Sequence, residues 1–97
     1  MTLDDYSAWA ESIHSKATDG DRDRLLSYLA LGLTSEAGEV ASEVKKLLRD
    51  GTWNAERMAD ELGDVIYHWS RLVTAIGGTH EDILAASRAK IDAKVRD

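Results

Sequence analysis

Glu36, Glu39 and Glu43 recur at steps of three and four within TSEAGEVASEVKK, and Glu61, Asp64 and His68 repeat that spacing within DELGDVIYH. On a helix, such steps gather side chains on one face. Carboxylates held this close repel one another, and some would be protonated, unless cations neutralise them. The chain has no cysteine, so a metal here would be held by oxygen or imidazole. An oxygen-rich set suits Mg²⁺, with Mn²⁺ as a substitute. Magnesium keeps several waters and commonly bridges to substrate phosphates, so the pattern points to metal-assisted phosphate chemistry. For each motif taken alone, a solvated acidic helix face is the competing reading. Two such motifs on facing helices weaken that alternative without removing it.

The elements that must position these acids are helical. Proline and phenylalanine are absent, and the composition is rich in helix formers. Four helices are expected, over 3–16, 22–49, 55–76 and 80–95. Thr2 caps the first, with Asp5 three residues on. The second repeats apolar residues at Leu26, Leu29, Leu33, Ala37, Val40, Val44 and Leu47, a 3.6-residue period. Gly51 suits a left-handed helix stop, and Thr52 or Asn54 can cap the third helix. The third is expected to bury Met58, Leu62, Val65, Ile66, Trp69, Val73 and Ile76, and Thr79 to cap the fourth.

At 100° per residue, Glu36, Glu39 and Glu43 lie roughly 60 to 120° to one side of the second helix's apolar stripe. Glu61, Asp64 and His68 are displaced in the same sense, by roughly 100 to 160°, on the third. A short connection makes the two helices an antiparallel pair, so both flanks fall on one side of it. Counted from Thr52, Glu39 lies 13 positions before and Asp64 12 after, while Glu43 and Glu61 each lie nine away. One patch of four or five carboxylates is the result. The fold class is all-α, a four-helix bundle built around this central antiparallel pair.

Ninety-seven residues make a single domain, 1–97, whose core is too small to be comfortable alone, and a homo-oligomer is expected. A hydrophobic fraction of 43% with 31% charged residues describes a globular chain. No apolar run approaches a bilayer span, and the acidic start MTLDDY lacks a secretory signal's basic region, so no membrane partner and a cytoplasmic location are expected. A net charge of −6 argues against binding a nucleic-acid polymer, whose phosphates this surface would repel. A small phosphorylated ligand can still bind through a divalent cation.

Lys46 follows Glu39 by seven positions, nearly in line with it, so its ammonium can reach a phosphate beyond the metal. Its alternative role, shared with Lys45 and Arg49, is to complement the negative end of the helix dipole. His68 is a candidate substrate contact one turn beyond Asp64. Tyr6 and Trp9, three apart, offer a wall for a base; Trp69 belongs to the apolar stripe and is read as packing. Arg71, Arg88 and Lys94 are read as solvated or as partners in intersubunit ion pairs.

YLALGLTSEAGEVASEVKK, followed after LLRDGTWNAERMA by DELGDVIYH, resembles the MazG-like, all-α nucleoside triphosphate pyrophosphohydrolases. The family pattern is E-E-x-x-E, a spacer, then E-x-x-D. Here it reads Ser35-Glu36-Ala37-Gly38-Glu39 and Glu61-Leu62-Gly63-Asp64, with Ser35 in place of the first glutamate. The resemblance runs over residues 28–94. It implies a MazG-like bundle that hydrolyses (deoxy)nucleoside triphosphates between the α and β phosphorus atoms, giving monophosphate and pyrophosphate. It places the Mg²⁺ ligands at Glu36, Glu39, Glu61 and Asp64, with Glu36 or Glu39 as the catalytic base. Ser87 and Lys90 stand where the family tends to show Asn and Lys, which makes Lys90 a further substrate-binding candidate. For the oligomer, physical reasoning favours a homodimer, and the resemblance implies a homotetramer built as a dimer of dimers. The alternatives are a phosphoribosyl-ATP pyrophosphatase-like enzyme and a non-catalytic helical module that binds nucleotide or metal. A di-iron bundle is disfavoured because its paired Glu-x-x-His motifs are absent.

Overall fold

A computed structural model describes residues 1–13 and 20–96 of the chain. Among these there are four helices and no strand: α1 (Leu3–Ser12), α2 (Arg22–Asp50), α3 (Ala55–Ala75) and α4 (His80–Arg96). The first helix was expected to reach residue 16; it ends at Ser12, and 14–16 lie outside the described residues.

Local chemistry sets the boundaries. Thr2 Oγ1 accepts from the Asp5 amide at 3.0 Å while Asp5 accepts from the Thr2 amide at 3.2 Å, a reciprocal cap that satisfies two orphan donors. The Asp21 side chain accepts from Arg24 N at 2.9 Å and starts α2. Gly51, at φ 69°, stops it in the left-handed region that side chains with a Cβ avoid. Of the two expected caps for α3, Asn54 does the work, accepting from Arg57 N at 3.0 Å. Thr79 Oγ1 accepts from Asp82 N at 3.2 Å and opens α4.

The α2 and α3 helices, joined by residues 51–54, form the most extensive contact in the chain; α1 packs on α3, and α4 meets α3 near its own first turn. Leu29 and Val73 are buried here, each contributing about 1.5–3 kcal/mol. Ser70, with no exposed surface, bonds His80 Nε2 at 2.7 Å, and the His80 ring stands edge-on to Trp69 at 5.1 Å. That contact seats the start of α4, whose remaining turns are largely exposed.

Much of the apolar stripe remains uncovered. Among the described residues, the buried hydrophobic side chains are Ala10, Leu29 and Val73. Leu62 and Ile66 of α3, Ile76 at its C-terminal cap, and Val44 and Leu47 of α2, all expected in the core, are exposed, Leu62 by 52%. Periodicity identified the apolar face correctly, but one helical neighbour covers only part of it. Part of the uncovered surface is an open groove of about 340 Å³ lined by Leu3, Leu33, Leu62, Val65, Trp69 and Leu84, among others. The radius of gyration, 15.9 Å, exceeds the ~13 Å of a compact chain this long. No described helix is long and apolar enough to cross a membrane.

Candidate metal centre

Glu36 projects from the middle of α2, and Glu61 and Asp64 from the first half of α3. One carboxylate oxygen of each lies within 4.8 Å of the others. Glu36 and Glu61 are partly shielded from water and Asp64 is exposed. The trio is therefore open on one side, as a site that must admit a ligand has to be. Glu39 is exposed and stands outside this closest group, yet its charge acts on Glu61. Burial raises the Glu61 carboxyl above its ordinary value, and the charges of Glu39, Asp64, Glu36 and Glu43 push it further in the same direction. Whether a cation fits is tested by the donor set itself. The donors are all oxygen, they converge from two helices, and their mutual cost is what a divalent ion would remove.

Glu43 lies one turn along α2 from Glu39 and is only 5% exposed. Its Oε1 accepts from Lys46 Nζ at 3.2 Å. Lys46 is half-buried; Lys45 is exposed; and Arg49 is engaged by its neighbour Asp50 through bonds of 2.8 and 2.7 Å.

The α3 face carrying Asp64 continues through Tyr67, His68 and Arg71. His68 Nδ1 donates to the Asp64 carbonyl at 3.0 Å, and its ring rests directly on Gly32 of α2, where any Cβ would collide with it. Gly32 is thus required by a close approach. Helix α1 lies over this segment. Tyr6 and Trp9 have ring centroids 5.4 Å apart, Trp9 and Tyr67 6.0 Å, and Tyr67 and His68 5.3 Å. Burial, then the neighbouring Tyr67 and Asp64, raise the Tyr6 phenol above its ordinary value. The aromatic wall expected from Tyr6 and Trp9 is a four-ring cluster that includes Tyr67 and His68.

Arg71 corrects an expectation. The helical pattern leaves it solvated or in an intersubunit ion pair; it is instead 8% exposed, with its guanidinium carbon 6.0 Å from the Tyr67 ring centre and its Nε 3.9 Å from Glu11. That Nε is buried without a hydrogen-bond partner among the described residues. The cause is tertiary: α1 covers a segment of α3 that helical pattern alone places beside solvent. Lys90 is exposed on α4 and makes no ion pair with a described residue. Arg88 and Lys94 are likewise exposed.

The sequence carries no signal for the burial of Glu43; a glycine at position 32 does permit a close approach, but not the identification of His68 as the group that makes it. Nothing in the sequence marked the meeting of Trp9 with Tyr67.

Comparison with known proteins bears on this arrangement. A profile of the MazG nucleotide pyrophosphohydrolase domain matches residues 25–94. The Gene 37 protein of Mycobacterium phage L5 is 40% identical over 83 residues, a match covering 78% of this chain and 73% of that protein. No solved structure matches the chain significantly. The matched region contains all of the acids described above, from Glu36 to Asp64, and the chain belongs to the MazG nucleotide pyrophosphohydrolase domain family.

Proposed function

We propose that residues 1–97 form a Mg²⁺-dependent pyrophosphohydrolase that cleaves (deoxy)nucleoside triphosphates between the α and β phosphorus atoms. The observation that carries this reading is the convergence of Glu36, Glu61 and Asp64 oxygens within 4.8 Å, inside the stretch that matches the family. Glu36, Glu39, Glu61 and Asp64 would hold the ion. Magnesium, when bound, supplies charge neutralisation of the polyphosphate and Lewis acidity toward water. The chain's own side chains do the rest. Glu36 or Glu39 accepts the proton of the attacking water as its oxygen bonds to phosphorus. The bond from phosphorus to the α–β bridging oxygen breaks, and pyrophosphate leaves with the bonding pair. His68, Lys46 and Lys90 are the candidate substrate contacts, and the Tyr6, Trp9 and Tyr67 rings offer faces for a base.

Gly32 against His68 and Glu36 against Glu61 and Asp64 support an antiparallel α2–α3 pair at the centre of a MazG-like bundle. The uncovered groove and the small buried core support a homo-oligomer, either a dimer or a dimer of dimers. Incubation with a nucleotide panel and Mg²⁺, with products resolved by ion exchange, tests the activity. Monophosphate and pyrophosphate in equal amounts are expected. Orthophosphate as the only inorganic product, or no turnover of any triphosphate, overturns the reading.

A further inference from the structure

The Glu43–Lys46 pair has a place in this site that metal binding alone does not use. A carboxylate as buried as Glu43 needs a partner, and among the described residues its hydrogen-bond partner is the Lys46 ammonium at 3.2 Å. Side chains on a helix lean toward its N-terminus, so this bond draws the ammonium back toward Glu39 and Glu36 rather than out past the end of α2. Glu43 lies one turn along α2 from Glu39 and two from Glu36, so the pair stands next in line to the acids on that helix. Lys46 still has two donors to offer. Arg49 is occupied by Asp50.

The two ends of the acidic patch differ in kind. Toward the start of α2 and the middle of α3 stand the rings of His68, Tyr67, Tyr6 and Trp9 over Gly32; the one cation there among the described residues, Arg71, is buried against Tyr67 and faces Glu11. Toward the 51–54 loop stands Lys46. About 21 Å of helix separates Gly32 from Lys46, with Glu36, Glu39 and Glu43 between. A nucleoside is matched by the first end, and a charged phosphate tail by the second.

We propose that Lys46, positioned by Glu43, binds the pyrophosphate end of the substrate, so that the nucleotide lies along α2 with its base at the aromatic end and its leaving group toward the 51–54 loop. The polarity rests on the triphosphate reading given above. Negative charge grows on the departing pyrophosphate as the bridge breaks, and a pre-placed ammonium stabilises that growth. Glu43 is a positioning residue that keeps the ammonium in place.

Calorimetric titration separates the two ends without requiring turnover. Mg²⁺-loaded wild type, Lys46→Ala, Lys46→Arg and Glu43→Gln are each titrated with inorganic pyrophosphate and with a panel of nucleoside monophosphates. Lys46→Ala is expected to weaken pyrophosphate binding about tenfold or more and leave monophosphate binding unchanged, and Lys46→Arg to retain most of the affinity. Glu43→Gln weakens pyrophosphate by a smaller factor, and adds no loss in the Lys46→Ala background. Equal weakening of both products, or unchanged pyrophosphate affinity in Lys46→Ala, overturns the polarity even if wild type hydrolyses triphosphates. A Lys46-dependent pyrophosphate affinity in a protein that turns over no triphosphate overturns the catalytic reading and keeps the polarity.

Discussion

Glu61 and Leu62 are consecutive on α3, yet they open onto regions with opposite physical problems. Glu61 faces Glu36 and Asp64, with every donor supplied from one chain, and what the group lacks is positive charge. Leu62 faces the groove with Leu33, Val65 and Trp69, and what that surface lacks is cover. The acidic face can be assembled by a single hairpin because it needs only direction and spacing. The apolar face cannot be completed so, because burying a stripe on both helices takes another layer of protein. The acids of this chain are therefore brought together locally, while its apolar face is left for a further layer of protein, which on the oligomeric reading proposed above is a second copy.

The largest expected effect breaks the acidic side alone. Asp64→Asn keeps the shape of the side chain and removes one negative ligand. Turnover with Mg²⁺ should fall by about 10²–10⁴-fold, the range over which loss of a positioned catalytic group is felt. Circular dichroism and oligomer mass should match wild type, since Asp64 is exposed and faces away from the groove. An unchanged rate would show that the exposed carboxylate is a solvated charge after all.

The converse substitution attacks the groove. Leu62→Asp puts a charge on a surface that one chain leaves 52% exposed. In a monomer this costs little, within ±0.5 kcal/mol or so. In an interface it leaves a buried charge unpaired and costs at least about 2 kcal/mol. Sedimentation should show dissociation toward the monomer mass, with melting lowered as protein concentration falls. A wild-type mass equal to the monomer's would remove the contrast between the two faces.

Gly32→Ala probes the contact where the hairpin meets the aromatic cluster. Replacing a helical glycine by alanine gains up to about 1 kcal/mol. Here the new Cβ collides with the His68 ring, and overpacking costs about 1–3 kcal/mol. The net effect should be destabilising, by up to about 2 kcal/mol in denaturant unfolding. Gly38→Ala meets nothing within 4 Å and serves as the control, expected to stabilise by about 0.5–1 kcal/mol.

The contrast also explains what was legible in the sequence. Caps and helix stops at Thr2, Gly51, Asn54 and Thr79 could be read because each depends on a few adjacent residues. The meeting of Glu36 with Glu61 and Asp64 could be read because a rigid helix converts spacing into direction. That Glu39 falls outside the trio could not, since an angular count ranks Glu36 and Glu39 together on one flank. Burial was legible only in part. Ile66 and Arg71 sit five residues apart on α3, and pattern assigned one to the core and the other to solvent, yet Ile66 is exposed and Arg71 is covered. Periodicity tells which face is apolar; which neighbour arrives, and where, is a property of the whole chain.

The smallest effect gives the sharpest separation of the two faces, because only one of them titrates. In the folded, metal-free chain, burial and four neighbouring carboxylates raise Glu61 above the 4.5 of an ordinary glutamate. The folded state then binds more protons than the unfolded state, so stability falls as pH rises. The contribution is fully present below pH 4.5 and is lost as pH climbs through the raised folded-state value. Other groups titrate as well, and the difference between wild type and Glu61→Gln cancels most of them. In chelator-containing buffer, wild type should lose stability relative to Glu61→Gln on going from pH 4.5 toward pH 7, as read from urea midpoints at fixed protein concentration. Saturating Mg²⁺ should reverse the ranking near neutrality, because the ion takes the place of the proton on a ligand the glutamine cannot supply. Leu62→Asp, made on the other face, should leave the sign of the Glu61 difference unchanged. If wild type instead gains on Glu61→Gln as pH rises without metal, the carboxylate is already paired with a cation of the protein, and the repulsion on which the metal centre rests is absent.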